Sequence, residues 1–380
     1  MHRMTARLTS VFTAMAMLAT SNFADAAKTK TANLLIVTTD GLRWQEVFGG
    51  ADEALMNRGR GGVQNLGQLR KEFWRDTPEE RRLALMPFTS AVIAKDGQLY
   101  GNRWRGSSVR VTNGLNLSYP GYSEIFCGVA DPQINSNEKK ANPSLNVLEW
   151  LEAKPEYKGR VAVFTSWNVF PYVLNTSRNH LPVNSGHQPL PGIPETDRVK
   201  LLNQMIAETP LFGEETRNDA LTFRAAMEYL QVKKPRVLYV AFDQTDEQGH
   251  AGRYDHLLGC ARKVDSFVQQ LWETMQAMPE YRGKTSLVFT TDHGRGDPPV
   301  EWKNHGRTTP TAEGVWVGFL GPDTPALGER KNLPEVQHTQ IAATLAALLG
   351  EDFRTAVPAA GKAIDDVTGA GRRAAEASNR

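Results

Sequence analysis

The sequence predicts an α/β fold with a mainly parallel central sheet and helices on both faces, and three observations carry that prediction. Continuous apolar runs recur along the chain and end in polar residues, the pattern of strands buried on both faces. Helical periodicities lie between those runs, as in a sheet sandwiched by helices. With 380 residues, 40% hydrophobic and 23% charged, the chain can bury one large core. A single domain over 28–365 is expected, with insertions at about 51–82 and 168–216 and a flexible tail over 366–380.

The N-terminus reads as an address. Arg3 and Arg7 precede an apolar, Ala- and Met-rich stretch from Leu8 to about Phe23, and Ala24-Asp25-Ala26 supplies the small-x-small pattern of a cleavage site. A signal peptide over 1–27 is therefore expected, and with it an exported protein, periplasmic or secreted. The stretch contains Thr and Ser and falls short of the ~20 apolar residues that a membrane span requires. No later segment is long and apolar enough to span a bilayer.

The first strand is Leu34 to Val37, which runs into Thr38-Thr39-Asp40-Gly41. Residues 51–82, rich in Arg, Glu and Gly, break the alternation of strands and helices. Thr77-Pro78-Glu79-Glu80 then reads as a capping box with Pro at the first helical position, starting a helix towards Ala94. Ser118 stands in a Ser-Tyr-Pro-Gly turn that opens another helix. After the helical pattern Leu145 to Leu151, the strand Val161 to Phe164 leads into Thr165-Ser166-Trp167. Asn168 to Thr216 carries Asn, Pro, Gly and two histidines in an irregular run, expected to lie over a site as a surface excursion.

The second half repeats the grammar. A helix at Leu221 to Leu230 precedes the strand Val237 to Phe242, which delivers Asp243 and Asp246. A helix at Leu257 to Met278 precedes Leu287 to Phe289 with Thr290-Thr291-Asp292 at its end. Val315 to Leu320 and a helix at Ile341 to Leu349 close the domain. Ligands of such sheets bind beyond the carboxyl ends of the strands, where these polar residues fall.

Composition excludes several classes of function. The formal net charge of +2 offers no footprint for a nucleic-acid polymer or an acidic membrane, and the small anionic ester expected as partner rests instead on the metal-binding side chains described next. Two cysteines, Cys127 and Cys260, exclude a disulfide-stapled scaffold, and apolar neighbours make both buried free thiols. Without a Cys-x-x-Cys pair, zinc-ribbon and thioredoxin chemistry are ruled out.

Metal-binding side chains end four separate fragments: Asp40, Asp246 with His250, Asp292 with His293, and His305. These six oxygen and nitrogen donors are enough for two three-ligand sets. Asp246 and His250, four residues apart, converge on one ion if the segment between them is a turn or helix start. Asp292 and His293 serve one site only where the strand breaks, and Gly294 permits that break. A hydroxyl beside two divalent cations becomes a nucleophile, and a helix opening at Pro120 would present N–H groups to an anion bound at Ser118. Phosphate or sulfate suits that arrangement.

Together, Asp-Gly after the first strand, a hydroxyl followed by aromatic-Pro-Gly, Asp-x-x-x-His, Asp-His-Gly and a later His-Gly, in this order, resemble the alkaline phosphatase superfamily. The chain is most similar to its nucleotide pyrophosphatase/phosphodiesterase and phosphonoacetate hydrolase branch. The resemblance runs from about Leu34 to Leu349 and leaves the two insertions unmatched. It implies an alkaline-phosphatase-like fold with two divalent metal ions, zinc being expected and manganese the alternative. One ion would be held by Asp40, Asp292 and His293, the other by Asp246, His250 and His305, with Ser118 bridging them and becoming transiently phosphorylated. His305 is preferred to His338 as the last ligand, because its His-Gly precedes the final strand as the branch's last ligand does.

Departures from the branch bear on substrate. Where it carries Thr and then Phe-Pro-Asn, this chain has Ser118-Tyr119-Pro120-Gly121, so an amide near the phosphate is missing. Asn135 or Asn137 is expected to supply it, Arg295 to clamp the phosphate or else to pair with Asp297 in solvent, and Tyr119 to line the pocket. The expected function is an exported two-metal hydrolase of a phosphodiester, phosphomonoester or phosphonate. The alternatives are a sulfatase, a phosphoglycerate-mutase-like enzyme, or a metal-stabilised binding protein without turnover. Ser118-Tyr119-Pro120-Gly121-Tyr122 lacks the Arg of the sulfatase modification motif, and an exported protein has little use for a glycolytic step.

Overall fold

Three adjacent parallel strands, the first of them central, form the spine of the molecule. The computed structural model describes residues 29–213 and 215–369. The signal peptide expected over 1–27 lies outside the described residues, as does the tail from 370 onward. The start of that tail forms a short helix, Asp365–Thr368, which buries Val367 and Thr368.

Eleven strands follow in chain order: β1 (Asn33–Thr39), β2 (Gln98–Tyr100), β3 (Val109–Arg110), β4 (Val161–Thr165), β5 (Val183–Ser185) and β6 (Val237–Phe242) come first. β7 (Thr285–Thr291), β8 (Gly314–Val315), β9 (Val317–Leu320), β10 (Gly328–Glu329) and β11 (Val336–Gln337) complete the set. Eight of them make the main sheet in the order β10-β2-β9-β7-β1-β6-β4-β5, and β11-β3-β8 form a small second sheet. Within the main sheet β9 alone runs against its neighbours β7 and β2.

Every residue of β1 is buried, as its unbroken apolar run predicts. Its side chains alternate between two cores. Leu35 and Val37 join the helices Asp219–Lys233 and Tyr254–Ala277, whereas Leu34 and Ile36 join Ser118–Cys127, Val147–Glu152 and Ile341–Leu348. Register then does the positioning. Thr39 of β1 is level with Phe242 of β6 and Thr291 of β7, so Asp40, Asp243 and Asp292 leave the sheet side by side at its carboxyl edge.

Three elements depart from expectation. Thr77 and Glu80 do form a capping box, but the expected helix breaks after Pro78–Leu85, because Pro87 disfavours helical geometry in the residue before it, and helical turns resume over Thr89–Ile93 and Ala94–Asp96. The run Val315 to Leu320 divides at Trp316 between the two sheets, and the Trp316 ring N–H donates to the Leu42 carbonyl at 3.0 Å. The segment 168–216 is more regular than its composition suggests. It supplies the edge strand β5 and the helix Asp197–Glu208, which buries Val199, Leu202 and Ile206 at helical spacing.

Candidate metal centre and nucleophile

The carboxyl edge of β1, β6 and β7 gathers the polar residues that end those strands. Asp40 follows β1, and Gly41 after it turns away with φ +59°. No side chain fits at Gly41, because a Cβ would lie 2.4 Å from Asp246 Oδ1. The Gly41 N–H donates to Asp292 Oδ1 at 3.1 Å, which ties the ends of β1 and β7 together.

Asp40, Asp292 and His293 form one buried trio, and Asp246, His250 and His305 form a second, more open one. Within each, one donor atom per residue lies within 4.8 Å of the others. His293 Nε2 is 3.3 Å from Asp40 Oδ1 and 3.5 Å from Asp292 Oδ2. In the second trio His250 Nε2 is 3.1 Å from Asp246 Oδ2 and 2.9 Å from His305 Nε2. The helix Gln244–His250 sets Asp246 and His250 one turn apart on one face.

Second partners fix the imidazoles. His293 Nδ1 donates to the Gly294 carbonyl and His305 Nδ1 to that of Asn116, each at 2.8 Å. A carbonyl only accepts, so both rings carry their proton on Nδ1 and turn an Nε2 lone pair inward. The two rings stack with centroids 3.9 Å apart. Burial and the neighbouring His293 push the His305 pKa down to about 3, which keeps this ring a neutral donor.

Ser118 lies against the buried trio. Its Oγ is 3.2 Å from His293 Nε2 and 3.4 Å from Asp40 Oδ1, at the first turn of the helix Ser118–Cys127. This helix approaches the end of β7 so closely that a Cβ on Gly121 would meet the Asp292 carbonyl oxygen at 2.4 Å. Tyr122, one turn after Ser118, donates from its hydroxyl to Asp40 Oδ2 at 3.0 Å. Glu124 accepts from the N–H groups of Thr112 and Asn113, bracing the loop that leads into the helix.

Electrostatics make the trios a fit for cations. Burial, then the carboxylate of Asp246, raises the Asp40 pKa well above the usual range, and burial, then Asp40, does the same to Asp292. Asp292 Oδ2 is buried without a hydrogen-bond partner. Burial opposes the charge of Asp246 too, but Arg295 and then the His305 and His250 rings hold its pKa well below the usual range. Three carboxylates with a single guanidinium among them lack countercharge, which divalent ions on Asp and His donors would supply.

Not every expected residue reaches the site in the expected way. Arg295 is buried and turned inward: Nε donates to the Trp302 carbonyl at 3.0 Å, Nη2 to that of Lys303 at 2.6 Å, and Nη1 contacts Asp246 Oδ1. It is neither a phosphate clamp nor a partner of Asp297. Tyr119 is 1% exposed and gives its hydroxyl to the Lys140 and Tyr172 carbonyls, so it packs behind the site rather than lining it. Asn135 is exposed and, among the described residues, makes no hydrogen bond to the Ser118 helix. Asn137 is brought there, since its Oδ1 accepts from the Tyr119 N–H at 3.0 Å. His338 belongs to neither trio and is buried with both ring nitrogens without hydrogen-bond partners. Cys127 is buried and Cys260 half-buried, both free, and burial pushes both thiols up to about 12.

The sequence reading missed Tyr122, and it placed Asp243 at the end of a strand without giving it a role. Tyr122 was detectable, since a residue four after Ser118 shares its helix face. Asp243, level with Asp40 in the sheet register, is 7% exposed, and burial, then Asp40 and Asp246, raises its pKa.

Comparison with known proteins agrees with this geometry. The profile described as type I phosphodiesterase / nucleotide pyrophosphatase matches residues 88–307, a span that includes Ser118 and every trio residue except Asp40. No match to a curated protein was found. A structure of a protein in the alkaline phosphatase superfamily from Vibrio parahaemolyticus superposes with TM-score 0.51 at 13% identity, covering 89% of this chain and 70% of that one. The alkaline phosphatase PafA gives TM-score 0.52 at 11% identity over 90% of this chain and 99% of that one. A 2-O GAG sulfatase gives 0.50 at 13% identity, over 89% and 74%. Such low identities speak to the fold alone.

Proposed function

This chain belongs to the type I phosphodiesterase / nucleotide pyrophosphatase family, a group of hydrolases in the alkaline phosphatase superfamily, and on that premise we propose that it cleaves a phosphoric ester by transferring the phosphoryl group to Ser118. One observation carries the reading: the Ser118 hydroxyl lies 3.2 Å from His293 and 3.4 Å from Asp40, two members of a buried Asp and His trio.

Bound at the trios, divalent cations, zinc by the Asp and His donor set and manganese as the alternative, would supply Lewis acidity and lower the pKa of the hydroxyl. The chain's own residues do the rest. The helix Ser118–Cys127 holds Oγ at its N-terminal end, where the positive end of the dipole favours an anion. In the first step the Oγ–P bond forms as the bond from phosphorus to the leaving oxygen breaks; the hydroxyl loses its proton and the leaving oxygen gains one. Water then attacks phosphorus, the Oγ–P bond breaks, and Ser118 recovers its proton. Among the described residues no Lys or Arg side chain hydrogen-bonds to Ser118, which favours the smaller charge of a phosphodiester over a monoester. The export signal read over 1–27 adds a periplasmic or secreted location to the proposal.

The test is a panel of aryl phosphate, phosphodiester, phosphonate and sulfate esters, run with metal analysis on the wild type and on Ser118→Ala. We expect hydrolysis of a phosphoric ester that falls by about a thousandfold or more in Ser118→Ala while the metal is retained. Unchanged hydrolysis in Ser118→Ala, cleavage of sulfate esters alone, or metal binding without any turnover would overturn the reading.

A further inference from the structure

The helix Gln244–His250 carries two of the three ligands of the open trio, and short helices are marginal on their own. Its start has no local cap. Asp243 stands at the N-cap position and makes no side-chain hydrogen bond to the first turn, where a helix leaves N–H groups without partners. Thr245 ties this turn to β1, its hydroxyl lying 2.7 Å from that of Thr39. The N–H groups of Asp243 and Gln244 are met by another segment of the chain.

Asp219, the first residue of the helix Asp219–Lys233, is 3% exposed and turns its carboxylate on this start. Oδ1 accepts from the Asp243 N–H at 2.9 Å and Oδ2 from the Gln244 N–H at 3.1 Å. The tie is returned, since the Asp219 N–H donates to the Gln244 side-chain oxygen at 3.0 Å. The carboxylate is itself held: the Ser166 hydroxyl, just past β4, donates to Oδ1 at 2.6 Å and lies 2.8 Å from the Thr222 hydroxyl. Arg217, 1% exposed, braces that corner by donating to Thr222 Oγ1 and to the Thr165 carbonyl, each at 3.1 Å. Burial pushes the Asp219 pKa up to about 6, so above that pH the ionised carboxylate costs the fold stability. Its return is the order it gives to the Asp243–Gln244 turn.

Resting on the metal-dependent function proposed above, we infer that Asp219 is a positioning residue for the ion of the open trio: it caps the helix Gln244–His250 from outside and so sets Asp246 and His250 for one divalent cation. Asp40, Asp292 and His293 follow β1 and β7 instead, so the two trios respond differently to its loss.

Zinc binding to the full chain is followed by competition with a chelator, alongside urea unfolding of the metal-free protein. The wild type is expected to bind two zinc ions, and His250→Ala marks which of the two affinities belongs to the open trio. Asp219→Asn, which offers one accepting oxygen to two N–H groups, should weaken that affinity by about tenfold or more and spare the other. Ser166→Ala, which keeps the carboxylate and removes the hydroxyl that orients it, should weaken the same affinity to a smaller extent, and it carries the test should Asp219→Asn not fold. Asp265 is the control. It belongs to neither trio, is as buried as Asp219, and accepts from the Phe88 and Thr89 N–H groups at 2.8 and 2.9 Å. Asp265→Asn should lower stability and leave both zinc affinities unchanged. Undiminished affinity in Asp219→Asn and Ser166→Ala, equal losses at both trios, or the same loss in Asp265→Asn overturns the inference and leaves the proposed function standing. A wild type that binds no zinc at either trio overturns that function and this inference together.

Discussion

Arg295 shows how far a residue's role depends on where its side chain is turned. Beside Asp-His-Gly it reads as a clamp for anionic substrate, yet its donors go to two carbonyls and Asp246, and a Cβ on Gly249 would lie 2.6 Å from the guanidinium. Its work is to hold Asp246 and the segment that leads to His305. Replacing it with Met should weaken metal binding at the Asp246 trio by about tenfold or more, measured by competition with a chelator, and Lys should restore little because one ammonium cannot serve three directions. Undiminished affinity in Arg295→Met would remove that role.

His338 carries a consequence for pH. Burial, then the nearby His293, pushes its pKa down to about 3 from 6.5. The unfolded chain takes up this proton near pH 6.5 whereas the fold resists it to about pH 3, so the stabilising contribution is complete above the first value and drains away towards the second. From roughly pH 7.5 to pH 5 the wild type should lose about 2 kcal/mol of stability that His338→Leu does not. Urea unfolding of both proteins at the two pH values measures the difference; parallel losses would show that His338 titrates normally. Asp40, Asp246 and Asp292 stand out in the sequence because each follows an apolar run, whereas His305 stands out only through the resemblance. The side-chain directions of Arg295 and Tyr119 do not, since they are set by carbonyls far away in the chain.

Secondary elements deliver these residues through close contact. The helix Ser118–Cys127 touches the end of β7 at Gly121, where a methyl group would strike the Asp292 carbonyl oxygen at 2.4 Å. Gly121→Ala should force the helix away, costing about 1 to 3 kcal/mol in stability and about a hundredfold in turnover, since the nucleophile moves with it. Gly259, inside the helix Tyr254–Ala277 with open space around it, is the control: alanine there should stabilise by about 0.5 to 1 kcal/mol. Thermal melts and initial rates on both variants check this, and an active, stable Gly121→Ala would contradict the contact. Long periodic elements were legible in advance: the central strands, the helix from Tyr254 and the capping box at Thr77. Short ones were not. β5 is three residues long and owes its place to pairing with β4, a partner chosen by the whole sheet rather than by local propensity.

At the scale of the whole molecule, the register of adjacent strands brings Asp40 together with Asp292 and His293 from segments more than two hundred residues apart. Asp40 and Asp292 lie level because Thr39 pairs with Thr291, and a slip of one residue between β1 and β7 would put them on opposite faces. The order of motifs along the chain announced this edge of the sheet. The most direct measurement is anomalous scattering from crystals of the protein grown with zinc. Two peaks should flank the Ser118 hydroxyl, one within bonding distance of Asp40, Asp292 and His293 and the other of Asp246, His250 and His305. Peaks elsewhere, or none beside Asp40 and Asp292, would contradict the account.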